Sequence, residues 1–223
     1  MFDPKQWAHM RLAKYTRSLE NQSSKKQAEL DTFEDVFDYY CLFTKMLING
    51  GALFATSPEA MIKFWQTSHA RRYINTQKQA LKRGATIERF YVFSTLDAFK
   101  DEEIQEIIKS QILCLETALH KAAFTADSSI SNIPSPHGRD YAIFCKKKGD
   151  EFHPKVAICY RETTFYLTII RKNLPNLSIP FARPYISTDS QELNSLLSIH
   201  QEIKENAKKI IFDPKANKLT LEK

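Results

Sequence analysis

Glycine is scarce: the chain has five in 223 residues, and none follows Gly149. The one adjacent pair, Gly50-Gly51, is followed by no lysine or serine at the distance that a phosphate-cradling loop requires, which excludes that route to nucleotide hydrolysis. A Gly-x-Ser-x-Gly nucleophile elbow is absent as well. Cysteine is limited to Cys41, Cys114, Cys145 and Cys159, with no Cys-x-x-Cys pair and no metal-ligand spacing, so these read as core thiols in a reducing compartment. The histidines His9, His69, His120, His137, His153 and His200 form no His-Glu-x-x-His or comparable pattern, so neither a metal nor a cofactor is implied. Long apolar runs are missing too. The stretches 156–160 and 165–167 fall far short of the about 20 residues that cross a bilayer, and the N-terminus carries an early acid rather than a signal sequence. A cytoplasmic protein without a membrane span is the expectation.

What the chain has is core-forming material, 43% hydrophobic and 12% aromatic, enough for one sizeable domain. Its formal charge of +6, from 32 basic and 26 acidic residues, is dispersed except at Lys146-Lys147-Lys148 and Arg71-Arg72. That distribution fits a solvated surface better than a phosphate-binding stripe.

Helical and strand patterns alternate along the chain. Residues 5–19 and 28–47 are rich in helix formers, and Phe33, Val36, Phe37, Tyr40 and Phe43 fall three and four apart as one aromatic stripe. The polar stretch 20–26 between them reads as a link, so residues 1–45 are expected to be an N-terminal helical arm. Residues 52–56 then read as a short buried strand. Ser57-Pro58-Glu59 has the form of a helix start, with Ser57 as cap and Pro58 at the first helical position. That helix is expected to reach Lys82 and to end at Gly84 in a left-handed cap, and a strand over 86–93 completes a βαβ unit. Ile104, Ile107, Ile108, Ile112 and Leu115 place another helix over 101–120, whose Asp101-Glu102-Glu103 start suits the helix dipole rather than acid–base chemistry. A short strand over 121–125 and a loop over 127–138 follow, then strands over 140–146, 152–160 and 163–171 joined closely enough to be antiparallel hairpins. A proline-punctuated stretch over 173–185 leads to a helix over 189–211. The remaining 212–223 are expected to be a polar tail. The predicted fold is therefore α/β, a mixed β-sheet flanked by helices over residues 46–211.

One short sequence carries chemistry. His153-Pro154-Lys155 opens a strand, and Tyr160 follows it. This resembles the His-x-Lys-x4-Asp signature of the phospholipase D-like superfamily. The helix end Ala80-Leu81-Lys82-Arg83-Gly84, feeding the strand Ile87-Glu88-Arg89-Phe90-Tyr91-Val92, is similar to a helix–strand element of the same superfamily. The resemblance covers residues 46–211 and implies a phospholipase D-like α/β domain in which His153 attacks a phosphodiester and Lys155 holds its phosphate. Two departures bear on activity: Tyr160 stands where the family has aspartate, and no glycine lies downstream to let backbone amides approach a phosphate. Many bacterial relatives lack a working site and act in regulation. The resulting expectation is a non-catalytic regulatory or interaction domain that binds a protein partner, a second copy of itself or an anionic ligand. Its candidate ligand-binding residues are Arg89 and Ser57, although Arg89 also fits a solvent-facing strand position. One alternative is a dimeric phosphodiesterase or nuclease using His153 and Lys155, with Asp140 or Glu162 supplying the missing acid. Another, resting on the net charge and on Lys146-Lys147-Lys148, is a nucleic-acid-binding adaptor.

Overall fold

The computed structural model describes residues 26–30, 33–47, 50–124, 140–167 and 177–222. In chain order they form β1 (Gln27–Glu29), α1 (Phe33–Lys45), β2 (Ala52–Pro58), α2 (Glu59–Ile62), a 3₁₀ turn (Lys63–Gln66), α3 (Ser68–Lys82), β3 (Thr86–Phe93), α4 (Leu96–Phe99) and α5 (Glu102–Cys114). Beyond these come β4 (Leu119–Phe124), β5 (Tyr141–Lys148), β6 (Glu151–Leu167), β7 (Leu177–Ser187), α6 (Ser190–Asn206), β8 (Lys208–Asp213) and β9 (Lys218–Leu221). The strands form one mixed sheet in the order β1-β7-β6-β5-β2-β3-β4-β8-β9, with β2, β3 and β4 parallel. The expected class, α/β with a mixed sheet flanked by helices, is what forms. Among the described residues no helix is long and apolar enough to cross a membrane.

The two sheet faces follow from the two-residue period of the strands. Leu53, Ala55, Ile87, Ala142, Phe144, Ile158 and Tyr160 face α1 and α3, and Tyr91, Phe93 and Ala122 on the same side meet α5. Ala52, Phe54, Phe90, Val92, Tyr141, Ile143, Ala157 and Cys159 face α6 through Leu193 and Ile203. With helices on both faces, β2 and β3 are buried almost throughout, which is why residues 52–55 and 90–93 read as apolar runs, while the start of β3 alternates. The helix ends are capped by their own sequence. Thr67, Thr95, Asp101 and Asp189 each accept a backbone N–H of the following turn. At the end of α3, Gly84 at φ +82° lets its N–H reach the Leu81 carbonyl while the Ala85 N–H reaches that of Ala80.

Several elements depart from expectation. The segment 28–47 is not helical throughout: Gln27–Glu29 pairs antiparallel with β7, and α1 begins only at Phe33. Of the aromatic stripe, Tyr40 stacks on Tyr73 of α3 and Phe37 meets the same ring edge-on, so this part of the expected arm is built into the sheet and the core. The helix expected over 5–19 and the loop over 127–138 lie outside the described residues. Ser57 does not cap a helix; it is the penultimate residue of β2, and Pro58 at the helix entry makes no side-chain cap bond. The helix expected to run to Lys82 is interrupted by the 3₁₀ turn, and it restarts on the Thr67 cap. His120, expected in a helix, lies in β4 because α5 stops at Cys114. Arg161-Glu162 is not a turn: β6 continues through it to Leu167 and pairs with β7 along its far half. Among the described residues β1 pairs with β7 only at Tyr185, Ile186 and Ser187, so Pro180 and Pro184 of β7 owe no N–H to β1. The last helix ends at Asn206, so Ile210 and Ile211 belong to β8. The expected tail returns as β9 through a turn in which Asp213 accepts from the Lys215 and Ala216 N–H groups and Asn217 takes φ +49°.

Candidate functional site

Ligands in open α/β sheets bind beyond the carboxyl ends of the parallel strands. At that end of β2 a cavity of about 30 Å³ lies between the sheet and the α2–3₁₀–α3 segment, with room for about two water-sized groups. Arg89 sits at its centre. It stands on β3 opposite Ala55 of β2, 2% exposed, with its Nη1 donating to the Ser57 hydroxyl at 2.9 Å. The interruption of the helix serves this placement, because the 3₁₀ turn holds the Trp65 ring 4.3 Å from the guanidinium carbon. Among the described residues no acceptor meets hydrogen-bond geometry at the Arg89 Nε and Nη2; the Tyr73 hydroxyl in the same cavity lies near enough for Arg89 to oppose the burial that raises its pKa. A buried guanidinium with two idle donors is costly, since a desolvated charge is tolerated only when its hydrogen bonds are made. Those two donors form one edge of the planar group, the edge that grips two oxygens of an anion side by side.

Asp140 lines the same cavity, 8% exposed, where the chain enters β5. The neighbouring Tyr141 N–H donates to Thr56 of β2 at 3.0 Å and so fixes the entry. Burial raises the Asp140 pKa from 3.8 to about 7, against the opposing pull of Arg89, which acts through space rather than through an ion pair among the described residues. Tyr40 and Tyr160, whose hydroxyls are 3.5 Å apart, complete the wall, and burial raises both phenols well above their ordinary range. The mouth is apolar, formed by Met61 and the partly exposed Phe64.

His153 and Lys155 are not part of this site. They lie on β6 where it pairs with the far end of β5, beside a register shift that sets Cys145 opposite Pro154. The His153 side chain is 44% exposed, and its nearest acid, Glu151, stands 3.7 Å away. The hollow around it is lined by Pro154, Lys155, Thr188, Ser190, Leu193 and Asn194, none of which can orient an imidazole as a carboxylate would. Among the described residues no second histidine joins it. His120 is bound to the Tyr91 hydroxyl at 3.2 Å, and His200 lies between Tyr141 at 3.1 Å and Glu88 at 2.9 Å. The structure thus joins Ser57 with Arg89 and separates both from His153 and Lys155. Trp65, Tyr73 and Asp140 complete the Arg89 site. Only Asp140 carried a signal in the sequence, as a spare acid, and Tyr160 stood out solely for occupying the place of an aspartate.

No family model and no curated protein matches the chain. Among solved structures it is similar to TrmBL2, an archaeal chromatin protein whose structure is described as showing a novel mode of DNA binding. The identity is 10% and the TM-score 0.43, over 92% of this chain and 65% of that one. The chain therefore spans less than two thirds of that protein's length.

Proposed function

We propose that this chain is a non-catalytic phospholipase D-like domain that senses or carries a small anionic ligand bound at Arg89. The observation that supports this reading is the pair of unpartnered donors, Nε and Nη2 of Arg89, held in a cavity at the carboxyl end of β2. An anion there would neutralise a buried charge and satisfy both donors at once. Against catalysis at the other candidate stands the exposure of His153, whose nearest acid, the exposed Glu151, lies 3.7 Å away, beyond hydrogen-bond reach. Titration calorimetry with acetate, benzoate and inorganic phosphate tests the reading. We expect at least one of these to bind the wild type and to weaken by roughly 10- to 100-fold in Arg89→Met, the cost of charge-assisted hydrogen bonds. Absence of binding by all three would reject it. In parallel, neither wild type nor His153→Ala should turn over a generic phosphodiester or single-stranded DNA; turnover lost in His153→Ala would establish an enzyme instead.

A second reading has one observation of its own. Lys146, Lys147 and Lys148 at the end of β5 and Lys155 on the paired strand are all exposed, a basic cluster suited to phosphates of a nucleic acid. Binding of a DNA duplex that falls steeply with added salt and is lost on replacing these lysines by glutamate would favour it.

A further inference from the structure

Resting on the reading of Arg89 as an anion site, we infer that the ligand is a monocarboxylate and that it enters together with a proton held on Asp140. The ligand class follows from what the cavity offers. The free Nε–Nη2 edge presents two parallel N–H groups to two coplanar oxygens, the geometry of a carboxylate. Beyond those donors the inner wall carries the hydroxyls of Ser57, Tyr40 and Tyr160, while the Trp65 ring and the mouth at Met61 and Phe64 present an apolar surface that receives a carbon body. The cavity's size sets the same limit, since it admits the charged end of a ligand while the body lies towards Phe64.

The coupling to a proton follows from what else shares the space. Arg89 carries one positive charge, and Asp140, itself buried, lines the same cavity. With Asp140 ionised, a bound carboxylate would add a second negative charge beside one guanidinium, a like-charge juxtaposition in a site with little water to screen it. With Asp140 protonated, one cation meets one anion. The other groups facing Asp140 do not supply an alternative proton acceptor or a compensating charge near neutrality. Tyr40 of α1, Tyr160 and Cys159 of β6, Tyr73 of α3 and Tyr141 beside it all have pKa values raised by burial and remain neutral. His120, behind Arg89 on β4, is held neutral down to about 3 by burial and by that same arginine. Asp140 is thus the group in the described cavity able to take up a proton when a carboxylate arrives, and its pKa of about 7 places the exchange in the physiological range.

The experiment is calorimetric titration of the full chain with benzoate and acetate between pH 6 and pH 9, repeated at pH 8 in Tris and in HEPES, whose ionisation enthalpies differ. Inorganic phosphate serves as the competing probe. We expect benzoate to bind, with affinity flat near pH 6 and falling about tenfold per pH unit above pH 7, and close to one proton taken up at pH 8. In Asp140→Asn the affinity should be independent of pH and the proton uptake gone, and Arg89→Lys, which keeps the charge but loses the two-pronged edge, should bind benzoate at least tenfold more weakly. The wild-type proton count stands even if a variant fails to fold. Benzoate binding with no proton uptake and no pH dependence would overturn the inference while leaving the anion site intact. Phosphate binding in preference to both carboxylates would overturn the ligand class. Failure of all three probes to bind would remove the anion site and the inference with it.

Discussion

Glu88 and Arg89 are adjacent in sequence yet point to opposite faces of β3, and their surroundings differ in what is left over. On the α6 side, Glu88 is fully engaged: His200 Nε2 lies 2.9 Å from one oxygen and Lys204 Nζ 3.0 Å from the other. A carboxylate only accepts, so the His200 proton sits on Nε2 and its Nδ1 accepts from the Tyr141 hydroxyl. Burial pushes the Glu88 pKa up, but His200 and Lys204 together outweigh it and hold the group ionised. This is a structural clamp that ties α6 to the sheet, with no donor idle. Glu88→Ala should therefore cost about 3 kcal/mol, because it strands the His200 N–H and the Tyr141–His200 pair in a dry layer, whereas Glu88→Gln, which keeps an acceptor, should cost about half as much. Urea unfolding at pH 7 checks both, and equal losses would mean that the charge rather than the acceptor matters. On the other side Arg89 is left with free donors, which is the signature of a site. The sequence could nominate Ser57 and Arg89 as individuals but not their contact. Ser57 drew notice as a helix cap, and a strand arginine looks alike whether it meets water or Trp65.

At the scale of elements, two glycines illustrate which local rules the chain states openly. Gly84 ends α3 at φ +82° with nothing within 4 Å of where a Cβ would sit, so Gly84→Ala costs only the left-handed backbone, about 1 kcal/mol. Gly51, at the entry to β2, would place a Cβ 2.9 Å from the Cys145 carbonyl oxygen. Gly51→Ala must therefore part β2 from β5, and we expect it to cost at least twice as much in the same denaturant titration; a smaller loss than for Gly84→Ala would contradict the close approach of those strands. The first of these positions was legible, since Arg83-Gly84 after a helical pattern is a local stop signal. The second was not, because it depends on which strand lies alongside. The same division runs through the fold. β2, α3, β3, α5 and β5 emerged from periodicity and caps, signals carried within one element. β1, β7 and the β8–β9 hairpin were misread, and the far half of β6 was read as a separate strand, because their arrangement comes from pairing across long sequence separations. β7 contains prolines that a central strand would reject, and β1 is only three residues long.

For the whole molecule, the buried titratable groups pull stability in opposite directions with pH. His120 is held neutral by burial, its pKa lowered from 6.5 to about 3, and His200 is lowered for the same first reason. Below pH 6.5 the unfolded chain binds more protons at these two positions than the folded chain does, so stability is lost as pH falls through that range. Asp140 acts the other way. Its folded pKa of about 7 exceeds the ordinary 3.8, so the folded chain holds a proton that the unfolded chain releases, and stability declines as pH rises from about 4 to about 7. Between pH 4 and 6.5 these slopes offset each other, and above pH 7 the full cost of a buried carboxylate remains. Asp140→Asn removes one side of this balance. The variant should match the wild type to within its constant packing difference near pH 4, gain on it steadily up to pH 7, and at pH 8 exceed it by at most about 4 kcal/mol, the energy of a shift of some three pH units. Its stability should also rise more steeply than that of the wild type between pH 4 and 6.5, because the histidines then act unopposed. Urea titrations at unit steps from pH 4 to pH 8, without added carboxylate, test this. A gap between the two proteins that stays constant across the series would mean that Asp140 titrates as an exposed acid does, and that its carboxyl is not enclosed with Arg89.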